Sequence, residues 1–380
     1  METAQYSWRP GLGWLKEPKQ EDLKSADLVL VFGATKTFTD GTCIKQLAHA
    51  FPDATMIGCT TGGEILGSTV TDDGLAAVAV SFATSRVIGA SVSIKDYHNS
   101  EEATKALVDK IPRKGLRHLF ILADGVLTSG SDVVRGVNAL LPVNVPVTGG
   151  LAGDGMDFRN AYIVFNGKVQ SSGITAVGFY GDNLRIGYGS CGGWLPFGPQ
   201  RLITSSEGNT MYEVDGRSVL DLYKQYLGPD AEKLPASGLL FPLSVTTDDE
   251  DAVVRTIKSV NEEKQSLSFA GDVPTGSYAQ LMRAVPDDLI DGAAEAAEIA
   301  SKICGSIPEL CILISCLGRK AVLKQLTEEE VEAVNEKLEG NSVITGFYSY
   351  GEIAPFREAS KAILHNQTMT ITALAEVNNA

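Results

Sequence analysis

The sequence is poor in three things: long apolar runs, paired metal-binding residues and positive charge. No uninterrupted apolar stretch approaches the roughly 18 residues that a membrane-spanning helix needs, so insertion into a membrane is not expected. Lys and Arg number 32 against 47 Asp and Glu, for a formal net charge of −15. Nucleic acid is bound by clustered cations and anionic lipid repels a chain of this sign, so neither partner is expected. The six cysteines (Cys43, Cys59, Cys191, Cys304, Cys311, Cys316) fall singly, without a C-x-x-C pair. That spacing disfavours a zinc ribbon or a secreted disulfide framework and fits reduced, mostly buried thiols in a cytoplasmic protein. Only four histidines occur, none at H-x-x-x-H spacing, which disfavours a multi-histidine metal centre. Met1 to Lys16 contains Trp8, Arg9, Pro10 and Trp14 but no apolar core, so it does not read as a secretory signal.

What is present is a repeat. At 380 residues and 44% hydrophobic, the chain is long enough for two ordinary domains or one large one. The apolar strand Asp27-Leu-Val-Leu-Val-Phe32 precedes a helix with Ile44, Leu47 and Phe51 on one face. A second strand, Thr55-Met-Ile-Gly58, then runs into Cys59-Thr-Thr-Gly-Gly-Glu64, and a third follows from Leu75 to Phe82. The order recurs from Leu119, with Val145 to Thr148 entering Gly149-Gly-Leu-Ala-Gly-Asp154, and Asn166-Gly167 supplying a type I′ hairpin turn. It recurs again from Leu310, where Thr327 and Glu330 read as a capping box and Val343-Ile-Thr-Gly346 leads into Phe347-Tyr-Ser-Tyr-Gly-Glu352. The predicted fold class is therefore α/β: mixed sheets from three β-α-β-loop-β units, flanking helices outside, and an antiparallel middle segment from about Asn183 to Ala284. Within that segment Leu184 to Ser190 reads as one of the antiparallel strands, and the acidic run Asp248 to Asp251 as a solvated turn. A boundary near residue 216 is expected.

Several residues invite a functional reading. Gly187-Tyr-Gly-Ser-Cys-Gly192 matches G-x-G-x-x-G, but Gly193-Trp-Leu-Pro196 follows where a phosphate-binding helix should start. Those glycines are expected to serve a bend or bulge in a strand. His365 lies in the polar insertion Leu364-His-Asn-Gln-Thr368, which also contains Asn366, a candidate ligand-binding residue. A haem needs only one axial imidazole, so His365 is a candidate iron ligand; the alternative is an imidazole hydrogen-bonded within a turn. Glu64, Asp154 and Glu352 occupy matching Gly-Glu or Gly-Asp turns. They read either as acceptors around an amine or cation in a shared cleft, or as structural acceptors for their own turns. Tyr348 and Tyr350 beside Glu352 suggest a pocket wall there. An amino-acid ligand could then place its ammonium on Glu352 and its carboxylate on Arg283. A cysteine enzyme built on Cys191 or Cys59 ranks last, because no base is spaced to activate either thiol.

Gly346-Phe-Tyr-Ser-Tyr-Gly-Glu-Ile-Ala-Pro355 followed by Leu364-His-Asn-Gln-Thr-Met369 resembles the C-terminal signature of the FIST family, as does Phe269-Ala-Gly-Asp-Val-Pro-Thr-Gly-Ser277. Ile57 to Glu64 and Gly149 to Gly155 are similar to its N-terminal half. The resemblance begins near Ser25 and implies a leader over 1–24, an N-terminal FIST domain over 25–215 and a C-terminal one over 216–380. It implies a sensory, non-enzymatic protein that binds a small molecule such as an amino acid. Output would pass to a separate histidine kinase or cyclic-di-GMP enzyme. A stand-alone chain of this length also resembles the haem-binding, nitric-oxide-sensing NosP type, with His365 as the metal ligand; a haem-bound nitric-oxide sensor is therefore the leading expectation, and a haem-free sensor of an amino-acid-like metabolite the alternative. A homo-oligomer is compatible with all of these.

Overall fold

The computed structural model describes residues 1–23, 25–246 and 251–377. The protein is α/β, with three mixed sheets built on one repeated unit and a fourth, antiparallel sheet inserted into the last unit. The first unit has strands Glu2–Arg9, Leu28–Gly33, Thr55–Thr60 and Leu75–Ser81. The second has Arg86–Ser93, Leu116–Asp124, Val147–Ala152 and Gly173–Tyr180, and the third Leu184–Cys191, Leu310–Cys316, Val343–Ser349 and Met369–Glu376. In each unit the second and third strands run parallel across a helix, and the fourth and first add antiparallel beside them.

Each unit also gives a hairpin away. Glu64–Leu66 with Thr69–Thr71 leaves the first unit and pairs with Val343–Ser349 of the third. Ile163–Phe165 with Lys168–Gln170 leaves the second and pairs with the first, and Glu352–Pro355 with Ala362–His365 leaves the third and pairs with the second. The exchange is cyclic and crosses residue 216 in both directions, so no unit completes its own sheet.

Alternation along the central strands explains the layers. Side chains two apart share a face, and a parallel strand covered on both sides must be apolar on both. Leu28, Leu30 and Phe32 face Phe120, Leu122, Ile312 and Ile314 in an inner core that all three sheets share. Phe32 stacks on Phe347 there, with ring centroids 4.7 Å apart. The intervening residues Val29 and Val31 point outward beneath helix Thr42–Ala50, while Leu119, Ile121, Cys311 and Leu313 pack under the helices of the other two units. Full burial of each such side chain contributes about 1.5–3 kcal/mol.

Three expectations need correction. Leu184–Cys191 is not part of the middle sheet; it is the first strand of the third unit, paired throughout with Met369–Glu376. The insertion of residues 195–283 separates it from the rest of its unit, which is why it read as part of its neighbour. Nor do Gly187 and Gly189 mark a bulge. The ladder is regular, and the missing side chains let helix Pro286–Cys304 lie on the strand: a Cβ on either would sit about 2 Å from a helix carbonyl, at 1.9 Å from that of Ala300 and 2.2 Å from that of Ala296. The small residues Ala293, Ala296, Ala297 and Ala300 form the matching helix face. Thr327 and Glu330 do not form a capping box either. Thr327 Oγ1 donates to Lys324 O, and the Glu330 carboxylate turns inward to Arg319.

The inserted segment has its own core, in which Leu220, Tyr223 and Leu227 of helix Val219–Leu227 pack on Ile203, Leu267 and Phe269. Of the acidic run at 248–251, only Asp251 lies within the described residues; it pairs with Arg357 at 3.2 Å. Among the described residues no helix is long and apolar enough to cross a membrane.

Candidate functional site

A cleft of about 750 Å³ opens where the carboxyl ends of the parallel strands of the second and third units meet the inserted sheet. Parallel strands end in loops and helix starts, which leave backbone groups free to meet a ligand. The second unit supplies Gly125 and the turn into helix Gly130–Leu140; the third supplies Cys316, Ser349 and Tyr350. The insertion closes the far side with Leu239, Thr256, Lys258 and Phe269. Most of the lining is apolar, as small-molecule sites usually are.

The insertion is pinned to both units. Arg135 on the helix pairs with Asp272 at 2.5 Å and also with Asp132, while the Asp272 amide donates to Ser131 Oγ at 3.1 Å. On the other side Arg255 donates to Leu364 O at 3.0 Å and to Asp272 O at 2.9 Å. Burial pulls its guanidinium down to about 10, with the Asp272 charge opposing. The Thr256 amide donates to Asn366 Oδ1 at 3.3 Å, and Gln367 Nε2 to Leu239 O at 3.0 Å.

Of the six residues proposed for a site, Tyr350 lines the cleft. Its hydroxyl bonds to Asp154 and to Gly155 O, and its ring stacks on Phe158 at 4.6 Å. Glu352 and His365 are cross-strand partners in the exchanged hairpin, with Asn366 next in sequence, and all three are buried just behind the cleft. Tyr348 is fully buried and donates to Glu330 at 2.6 Å. Arg283 is exposed on the strand Tyr278–Arg283 and is not part of the lining.

Two of the three matching turns are built alike. Glu64 Oε1 accepts from Thr61 Oγ1 at 2.8 Å, and Oε2 from Thr71 Oγ1 at 3.0 Å and the Gly74 amide at 3.1 Å. Glu352 repeats the scheme with Ser349 Oγ at 2.6 Å, then Thr368 Oγ1 at 3.0 Å and the Thr368 amide at 3.2 Å. Asp154 accepts from the amides of Arg159 and Asn160 at 2.9 and 2.7 Å. Each carboxylate thus fastens the point where a hairpin departs for the next unit.

Burial raises Glu64 to about 7 and Glu352 to about 8, against hydrogen bonds that pull the other way. The folded state therefore holds protons that the unfolded chain releases above the ordinary value of 4.5. This contribution to stability is full below that value and is lost as pH rises through about 7 and then about 8. Urea midpoints across that range should fall for the wild type and flatten for Glu352→Gln. An equally steep fall in the variant would refute the assignment.

An imidazole-ligated haem does not fit these residues. His365 is 4% exposed, its Nε2 lies 3.1 Å from Ala354 O, and burial holds the imidazole down at about 4. Among the described lining residues there is no histidine. Cys316, a thiol on the lining, is pushed well above its usual value by burial and by Glu352. The nucleophile reading fares no better: Cys59 is fully buried, and burial with the nearby Glu295 pushes Cys191 up to about 12. Thr256 and Lys258 had no motif to mark them. The turn after Leu116–Asp124, by contrast, was accessible through the rule that ligands gather at parallel strand ends.

The FIST N domain family model matches residues 27–217 and the FIST C domain model matches residues 220–355. An uncharacterised protein of Methanocaldococcus jannaschii is 23% identical over 255 residues, covering 60% of this chain and 48% of that protein. The chain thus spans about half the length of that relative. FIST domains are sensory, ligand-binding domains rather than catalytic ones, and a cleft framed by both matched regions is what such a role requires. The two matches together take in most of the sequence, and the chain belongs to the FIST family.

Proposed function

We propose that this protein is a sensor for signal transduction, and that a small amino-acid-like or related organic metabolite, without haem, occupies the cleft between the insertion and the second and third units. The carrying observation is that one cavity of about 750 Å³ is walled by separately packed cores. A ligand touching both sides favours whichever relative placement gives it the better fit, and this differential affinity shifts a two-state equilibrium. The output is read by a signalling module, a histidine kinase or a cyclic-di-GMP enzyme. A nitric-oxide response through haem would need a ligand donor in the cleft that His365 does not supply in this arrangement.

A thermal-shift screen of amino acids and small organic acids tests the proposal. At one hundred times its Kd a true ligand stabilises the folded state by about 2.7 kcal/mol. Ala236, exposed at the cleft wall, can be replaced by Trp to fill the space without disturbing a core. The wild type should be stabilised by at least one compound and Ala236→Trp by none. A shift that survives in the variant would move the ligand elsewhere. Protein purified from haem-supplemented cells should be colourless; a stoichiometric Soret band lost in His365→Ala would restore the haem reading.

A further inference from the structure

The charges on the cleft wall are unequally committed. Arg135 is taken up by Asp132, by Asp272 at 2.5 Å and by Glu101 at 3.4 Å. Lys258, from the strand Ile257–Asn261, has no ion pair or hydrogen bond among the described residues, although its ammonium feels the carboxylate of the buried Asp124. Lys258 is exposed at the cleft mouth by surface area, and partial burial holds its ammonium below the usual lysine range. Two residues earlier in sequence, Thr256 also lines the cleft; it is 7% exposed and its Oγ1 has no hydrogen-bond partner. A buried hydroxyl left unpaired is costly, and native proteins seldom leave one without a reason. Opposite lies the start of helix Gly130–Leu140, where Ser129 Oγ caps the Asp132 amide at 3.2 Å. The amides of Gly130 and Ser131 have no intrahelical acceptor.

We propose that the cleft takes a small organic acid, its carboxylate held by Lys258 and Thr256 at the leading turn of helix Gly130–Leu140 and its apolar body against Leu127, Leu151, Leu239 and Phe269. The inference rests on the reading that this cleft is the ligand site. Among the described lining residues Lys258 is the one cation outside an ion pair, which suits a singly charged head. A phosphate dianion would want more cations, whereas Asp124, Asp132 and Asp272 stand nearby. Asp132 and Asp272 are held by Arg135, so they do not compete for Lys258.

Hexanoate and its neutral analogue hexanamide separate charge from shape. Calorimetric titration of the full chain should show hexanoate binding about tenfold tighter than hexanamide, the value of one charge-assisted contact. Lys258→Met should abolish that ratio while leaving hexanamide within about twofold of wild type, and Lys258→Arg should retain the preference. Thr256→Val should weaken hexanoate and spare hexanamide. Equal binding of both probes to the wild type, with both lost in Ala236→Trp, would overturn the carboxylate and leave the cleft standing. Binding of neither probe would overturn the organic-acid assignment, while the ligand screen against Ala236→Trp would still decide the cleft.

Discussion

Glu330→Ala is expected to cost about 3–5 kcal/mol of folding stability, the range for breaking a buried ion pair from one side. Arg319 and Glu330 are both fully buried, with Arg319 Nη2 2.8 Å and Nε 3.0 Å from Glu330 Oε2. Two further guanidinium hydrogens go to Gly192 O at 2.5 Å and Leu289 O at 2.6 Å. The second carboxylate oxygen accepts from Ser315 Oγ at 2.9 Å and Tyr348 at 2.6 Å. One pair therefore ties helix Thr327–Lys337 to the turn after Leu184–Cys191, to the start of helix Pro286–Cys304 and to two strands of the third unit. Alanine removes the carboxylate and leaves a fully buried guanidinium without its ion-pair partner. Urea denaturation of the variant should show a midpoint well below wild type. Glu330→Gln should fall between them, because the amide oxygen can still accept from Arg319. A loss below about 1 kcal/mol for alanine would mean that Arg319 escapes to solvent. Replacing both residues by apolar ones should recover much of the loss, since an intact buried pair is worth little over a packed hydrophobic substitute.

The same residues show what sequence can and cannot reveal. Thr327 and Glu330 have capping-box spacing, and local spacing was the only information available. Arg319 competes for that carboxylate from eleven residues away, and in a dry interior a full charge outweighs a backbone amide. The three units were legible because period-two apolar strands and Gly-Glu turns are local signals. The hairpin exchange was not, because its pairing partner is another unit and a strand's edge does not encode which neighbour it meets. Glu352 and His365 were legible as a conspicuous motif, yet they face each other across a hairpin rather than facing the cleft. The cleft wall itself comes from segments as far apart as Gly125, Lys258 and Tyr350, and no spacing along the chain announces that they meet.

Gly346→Ala is expected to destabilise the third unit by about 3 kcal/mol or more, at or above the upper end for overpacking a core. Gly346 sits in register with Leu313 on the neighbouring parallel strand, and a Cβ there would lie 1.8 Å from Leu313 O. That obstacle is a backbone atom in the middle of a sheet, so no rotamer change relieves it. The contact is not an accident of one strand. Gly58 is in register with Val31, and Gly149 with Ile121, and each would place a Cβ 1.8 Å from its partner's carbonyl oxygen. The three glycines lie five or six residues before the turn carboxylates Glu64, Asp154 and Glu352, where each third strand approaches its exit to the next unit. We expect Gly58→Ala and Gly149→Ala to destabilise as strongly, whereas alanine at Gly155 or Gly208, where no atom lies within 4 Å of the added Cβ, should meet only the strain of its positive φ. Denaturant midpoints of the five variants decide the matter. A near-wild-type midpoint for any of the first three would show that its strand can move aside, and the exchange of hairpins around the shared core would then be looser than the repeated glycines require.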